Sequence, residues 1–279
     1  MPGTADCRLP TAGAGLLALL LSLPCAAATP KTTPKPNATA VNDVRIWIED
    51  GNCGNAVDRL KTGLKKGYPE VALLAGSMYE HGLCVKRDWD KAVTFYAQAF
   101  EGDLVEGAER LAAGYADPVN GPDIAAALWW GRKARISSFN ICNISEKSAD
   151  DPDLFVAELA AWPRQRLETC NYAVGVLAMM SAEVTYPRLG LAYQVGGNVN
   201  LRFFPGVPRI DVGKVESHEY AVYGLVDGDS LGDRRTRKVS EAFRKVVGEV
   251  AERTLRRYPQ PAGIPADAVL ERTYLFWME

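Results

Sequence analysis

The sequence predicts an α-helical solenoid of helix–turn–helix repeats followed by a small α+β domain with an antiparallel sheet. Residues 67–134 nearly repeat themselves: Ala72 returns as Ala108, Tyr79 as Tyr115, Asp88 as Asp123 and Ala92 as Ala127, at an offset of 35–36 residues. That period belongs to stacked helix pairs. From Ser137 the repeat stops, and after Val184 the hydrophobic spacing changes from helical to alternating. A long amphipathic helix and an aromatic-rich strand then close the chain.

In chain order, residues 1–28 read as a cleaved signal peptide. Arg8 precedes an apolar run over 14–23, Pro24 ends any helix, and Ala26, Ala27 and Ala28 supply the small residues of a cleavage site. The apolar run is shorter than the roughly 20 residues a spanning helix wants. Two rivals are a lipoprotein signal at Cys25, which Pro24 fits poorly, and a retained anchor. Residues 29–40 form a linker rich in proline, threonine and lysine. The expected location is periplasmic, with peripheral or no membrane contact after cleavage.

A net charge of −2 gives no basic face for nucleic acid. The one basic run, 234–238, reads as a solvated helix face. Four cysteines follow the cleavage site: Cys53, Cys84, Cys142 and Cys170. An even number in an exported chain favours disulfides. In the repeat register Cys53 opens one helix and Cys84 lies in the loop one repeat on, so these two are paired. Cys142 and Cys170 pair by elimination, and four free thiols are the alternative.

Within residues 41–136, a degenerate half-repeat over 41–66 caps the front of the array. Ala72, Ala75, Met78 and Tyr79 share one helical face, Gly82 stops that helix, and Asp88 caps the next near Trp89. Small residues recur where helices must approach, with Phe95, Tyr96, Trp129 and Trp130 filling the gaps. Such a face cannot be buried by one helix pair alone, so neighbours must stack. Plain core packing accounts for Phe95 and Trp130, whereas Trp89 and Trp129 are read as exposed aromatics available to a partner.

Ala72, Gly76, Tyr79, Gly82, Val85, Asp88, Lys91, Ala92, Phe95, Tyr96 and Ala99 resemble the Sel-one-like repeat, a relative of the tetratricopeptide repeat. Cys84 stands where that pattern carries its second loop glycine. The second unit keeps Ala108, Leu111, Tyr115, Asp123, Ala127, Trp130, Lys133 and Ala134, but its loop loses the G-x-G-V signature. The resemblance implies contact with proteins or peptides, often through the concave face, and disulfides that link repeats in some exported members.

Residues 137–184 read as a polar loop and two connecting helices, over 154–161 and 164–184. In the segment 185–279, Val199, Leu201 and Phe203 alternate with Asn198, Asn200 and Arg202 as in a half-buried strand. A second strand is expected over 220–226, a helix over 235–258, and a closing strand over 269–278. Tyr186-Pro187 followed by Gly197-Asn198-Val199, then the helix and the aromatic strand, resemble the C-terminal domain of TonB-type proteins. Segment 205–232 departs from that pattern. A small sheet with an open edge can take up an extended peptide through backbone hydrogen bonds. The candidate edge is Thr273, Tyr274, Leu275, Phe276 and Trp277; a strand paired on both sides, or covered by the helix, is the alternative.

Catalysis has a weak signal. Gly228-Asp229-Ser230-Leu231-Gly232 matches a nucleophile elbow, yet no histidine follows Ser230 to take its proton. The only histidines, His81 and His218, are far apart in sequence, and no metal-binding spacing occurs. The glycine–serine segment is therefore read as a turn, with no cofactor and no metal. The function expected is a non-enzymatic exported adaptor for protein or peptide partners. The alternatives are a TonB-type energy transducer with an uncleaved anchor, and a hydrolase using Ser230.

Overall fold

The computed structural model describes residues 38–136, 140–219 and 229–276, with backbone alone for residues 218–219 and 229–236. The expected signal peptide, most of the linker, the strand over 220–226 and Trp277 lie outside the described residues. Ala38, Thr39 and Ala40, expected at the end of the linker, instead form the first turn of a helix, where Ala40 is buried.

Six helices come first: α1 (Ala38–Glu49), α2 (Cys53–Lys65), α3 (Pro69–His81), α4 (Trp89–Glu101), α5 (Val105–Ala116) and α6 (Ile124–Lys133). They pack as α1 with α2, α3 with α4 and α5 with α6, and α2 with α3 and α4 with α5 join the pairs. Local chemistry sets the ends. Asp88 and Asp123 cap α4 and α6 by accepting from the backbone N–H of Lys91 and Ala126 at 3.1 and 3.0 Å. Gly82 closes α3 with φ +70°, a left-handed cap. Between α3 and α4 the contact is close: a Cβ on Gly76 would stand 2.4 Å from the Tyr96 ring.

Both expected disulfides are present. Cys53–Cys84 ties the start of α2 to the loop after α3, and Cys142–Cys170 ties a 3₁₀ turn to the chain's central helix. They fit an oxidising compartment. Cys84 has φ +58°, which explains why a glycine suits this loop position.

Next come α7 (Pro152–Ala160), α8 (Arg164–Glu183) and a short α9 (Arg188–Tyr193). The sequence marks α8 as a connection, but the structure makes it a centrepiece. Residues 172–180 are buried around the whole helix, packed against α5 and α6 and against the C-terminal helix. Among the described residues, no helix is long and apolar enough to cross a membrane.

The sheet has three described strands, β1 (Val195–Phe204), β2 (Arg209–Glu219) and β3 (Leu270–Phe276), in the order β2-β1-β3, and both pairings are antiparallel. Two expectations need correction. β2 was not foreseen, and the glycine–serine turn is helical from Asp229 onward, because α10 (Asp229–Arg257) starts six residues earlier than expected. α10 packs on β2 and β1. Phe243 on α10 stacks on Phe276 at 4.3 Å, and Tyr172 on α8 meets Phe203 edge-on. One continuous apolar core thus runs from Ala108 on α5 through α8 to the sheet and α10.

A polar clamp joins the same parts. Arg257, at the end of α10, donates to the fully buried Asp117 and lies 3.3 Å from Glu80 Oε1, while the Tyr96 hydroxyl donates to Glu80 Oε2 at 2.7 Å. The neighbouring Tyr258 hydroxyl donates to the Ala113 carbonyl at 2.7 Å.

Candidate functional site

Strand β3 pairs with β1 on one side, and among the described residues no strand pairs with its other side. That free edge borders a groove of about 1230 Å³. Residues of α1, α3 and α5 wall it opposite β3, and the end of α8 with residues 184–186 forms its base. The site is therefore a strand edge facing the helix pairs across a cleft.

Alternation on β3 decides which side chains face the helices. Leu270, Tyr274 and Phe276 are buried, Arg272 is partly buried, and Glu271, Thr273 and Leu275 are exposed. Phe276 is anchored by the Phe243 stack and by an edge contact from Tyr186 at 5.6 Å. Thr273 donates to Asn200 Oδ1 at 2.6 Å, across to β1 on the outer face. Leu275 is 58% exposed, an apolar side chain left in solvent at the edge. Thr273, Tyr274, Leu275 and Phe276 all line the groove.

Charged groups gather at its base. Arg272 donates to Ser181 Oγ at 3.1 Å, and Arg110 donates to the Ala182 carbonyl at 2.8 Å while lying 3.6 Å from Glu183. Glu109, on α5, is only 8% exposed. Burial, and then the neighbouring Glu106, push its carboxyl up to about 7, outweighing the pull of Arg272 and Arg110. Three groove-lining residues carry a buried polar atom with no close hydrogen bond, Tyr274 at its hydroxyl, Glu70 at Oε2 and Arg110 at Nη1, and the Tyr274 hydroxyl has Ser181 and Arg272 as its polar neighbours. Burial raises the Tyr274 hydroxyl to about 12, so it keeps its proton at any physiological pH.

The other expected contact residues are placed elsewhere. Trp89 is half-buried, edge-on to Tyr115 at 5.5 Å, and Trp129 is half-buried, edge-on to Phe155 at 5.2 Å with Lys133 over its ring. Neither lines the groove. Reading these indoles as exposed is corrected: each is packed against a ring of another helix. Ser230 lies in the first turn of α10 and His81 at the end of α3, where its Nε2 is 3.8 Å from Glu80. Among the described residues, no three of His, Cys, Asp and Glu cluster as metal ligands would.

Glu70, Glu106, Glu109, Arg110 and Arg272 are the site residues that the sequence reading missed. One signal was available: Glu109 sits between Ala108 and Leu111 on the buried face of its helix, where a carboxylate is out of place. No protein-family model matches the chain, and no curated protein matches it in sequence.

Proposed function

We propose that this chain is a non-enzymatic exported adaptor that captures an extended segment of a protein partner. The segment adds to β3 as a further strand, facing the helix pairs across the groove. The observation that carries this reading is the β3 edge, paired on one side and bordering a groove on the other. In this reading α1–α6 are a short solenoid of the Sel-one-like kind, residues 185–279 are a TonB-like peptide-binding domain, and the setting is the periplasm. The disulfides support an oxidising location.

Energetics favour a groove over a bare edge. Each backbone hydrogen bond contributes a net of about 0.5–1.5 kcal/mol, while ordering each peptide residue costs about 1–2 kcal/mol. Strand addition alone therefore roughly breaks even. Affinity must come from side chains of the added strand that enter the cleft.

Selection of ten-residue peptides from a random display library against the full chain tests the reading. Selected binders should slow amide hydrogen exchange across residues 270–276. N-methylation of alternate peptide residues should abolish binding in one phase and spare it in the other, since only every second N–H faces the edge. Binders that leave exchange in β3 unchanged, or tolerate N-methylation in both phases, would refute strand addition.

A further inference from the structure

We infer that the Cys53–Cys84 disulfide is a redox latch on peptide capture: a dithiol that reduces it frees α1 and α2 from α3 and takes down one wall of the groove. The inference rests on the strand-addition reading and adds its regulation. Val41, Asn42 and Arg45 of α1 line the groove opposite β3. Strand addition alone roughly breaks even, so capture depends on the walls that receive the peptide's side chains.

The three helices of that wall are not held alike. α5 belongs to the core that runs through α8 to the sheet, and Glu80 ties α3 to Arg257 at the end of α10. α1 and α2 lie beyond that clamp. They pack on each other and on α3, where Ala40, Val44, Ala56 and Leu60 join Val71, Ala75 and Met78 in a small core of their own. The ion pair of Arg59 with Asp43, at 3.0 Å, lies within the pair of helices. Two alanines, a valine and a leucine are little apolar burial for two helices, which are marginal in water without tertiary packing. The disulfide supplies the covalent hold, joining the first residue of α2 to the loop after α3.

Exposure selects this bridge over the other. Cys53 is exposed and Cys84 partly so, whereas Cys142 is 8% exposed and Cys170 is fully buried. Thiol–disulfide exchange needs a line of approach to one sulfur. A thiolate of the dithiol attacks Cys53 Sγ, the Cys53–Cys84 bond breaks, and Cys84 leaves as a thiolate that takes up a proton. The second thiolate of the dithiol then displaces Cys53 from the mixed disulfide. Two electrons pass to the protein, and the dithiol closes to its own disulfide. Cys142–Cys170 stays shut, so α8 and the base of the groove keep their place while residues 38–66 open locally.

The test titrates the full chain with dithiothreitol at pH 8, trapping free thiols by alkylation and locating them by mass spectrometry. Cys53 and Cys84 should be labelled at a concentration about tenfold or more below the one that labels Cys142 and Cys170. At that lower concentration, amide exchange should speed up about a hundredfold or more over residues 38–66 and change by less than about twofold across α8. A fluorescein-labelled ten-residue binder, selected on the oxidised chain, should lose about tenfold or more in affinity by anisotropy and regain it on reoxidation. The double variant Cys53→Ser, Cys84→Ser should bind as weakly as the reduced chain, with or without dithiothreitol. If Cys142 and Cys170 are labelled first, or together with the other two, the selectivity is overturned. Exchange that stays unchanged over 38–66, or rises equally in α8, makes the bridge a plain staple and overturns the latch. Faster exchange there with unchanged peptide affinity overturns the link to capture and leaves strand addition standing. If no selected binder slows exchange in β3, strand addition fails and takes this inference with it.

Discussion

A carboxylate at 8% exposure beside a second glutamate costs stability once it ionises, and Glu109 is such a group. Its folded carboxyl lies at about 7, above the ordinary 4.5, so the protonated form favours folding. That contribution is complete below about pH 4.5 and is lost as pH rises through 7, a swing of about 3 kcal/mol. Glu109→Gln removes the charge but keeps the shape. In urea unfolding the variant should match its parent near pH 4.5 and exceed it by about 1–3 kcal/mol at pH 8. Equal stability at both values would mean that Glu109 is solvated rather than buried. Gly114 sets a second residue-scale test, because a Cβ there would stand 1.9 Å from the Trp89 ring. Gly114→Ala should lower stability by roughly 1–3 kcal/mol in a thermal melt, although alanine favours helix by about 1 kcal/mol. Trp89 looks exposed in the sequence because nothing there reveals that Gly114, on the next helix, opens a slot for it.

Elements were legible where their signals are local. Gly82 and Asp88 mark helix ends by capping chemistry that needs only a few neighbouring residues, and α3 ends and α4 begins where they say; Asp123, the repeat counterpart of Asp88, opens α6 in the same way. β2 was not legible, and its register gives the reason. Val199 pairs with Val215 but Leu201 pairs with Val212, so β2 carries an irregularity around Gly213 and Lys214. Ile210 and Val212 therefore share a face with Val215 and Ser217, which breaks the period of two that a strand search relies on. The loop between α3 and α4 yields a prediction at this scale. Closing 31 residues, Cys53–Cys84 is worth about 3–4 kcal/mol on the chain-entropy account. Replacing both cysteines by serine should cost about that much in chemical unfolding. Cys84→Gly with Cys53→Ser should recover about 1 kcal/mol of it, since glycine relieves the left-handed backbone at φ +58°. If the serine and glycine pairs unfold alike, position 84 carries no backbone strain.

The groove belongs to the whole molecule, which is why the sequence shows one wall of it and not the other. β3 announces itself by its aromatic alternation, but the facing wall comes from α1, α3 and α5, up to 238 residues earlier in the chain. What holds the two walls at a fixed distance is the core around α8 together with the clamp at Arg257. The Arg257 side chain is 26% exposed, while those of its partners Asp117 and Glu80 are 0% and 4% exposed. Two carboxylates are thus kept from water against one guanidinium, with Tyr96 and the Val119 N–H supplying further hydrogen bonds. Removing the cation leaves both anions buried and unpaired, so Arg257→Leu should cost about 3–5 kcal/mol. The penalty comes from stranded charge more than from lost attraction. Adding Asp117→Asn and Glu80→Gln to Arg257→Leu should therefore restore more than half of the loss, because both amides can still accept the same hydrogen bonds. Urea unfolding of parent, single and triple variants measures this directly. A triple variant no more stable than the single would mean that the Arg257 side chain acts by packing α10 against α5 rather than by neutralising the pair.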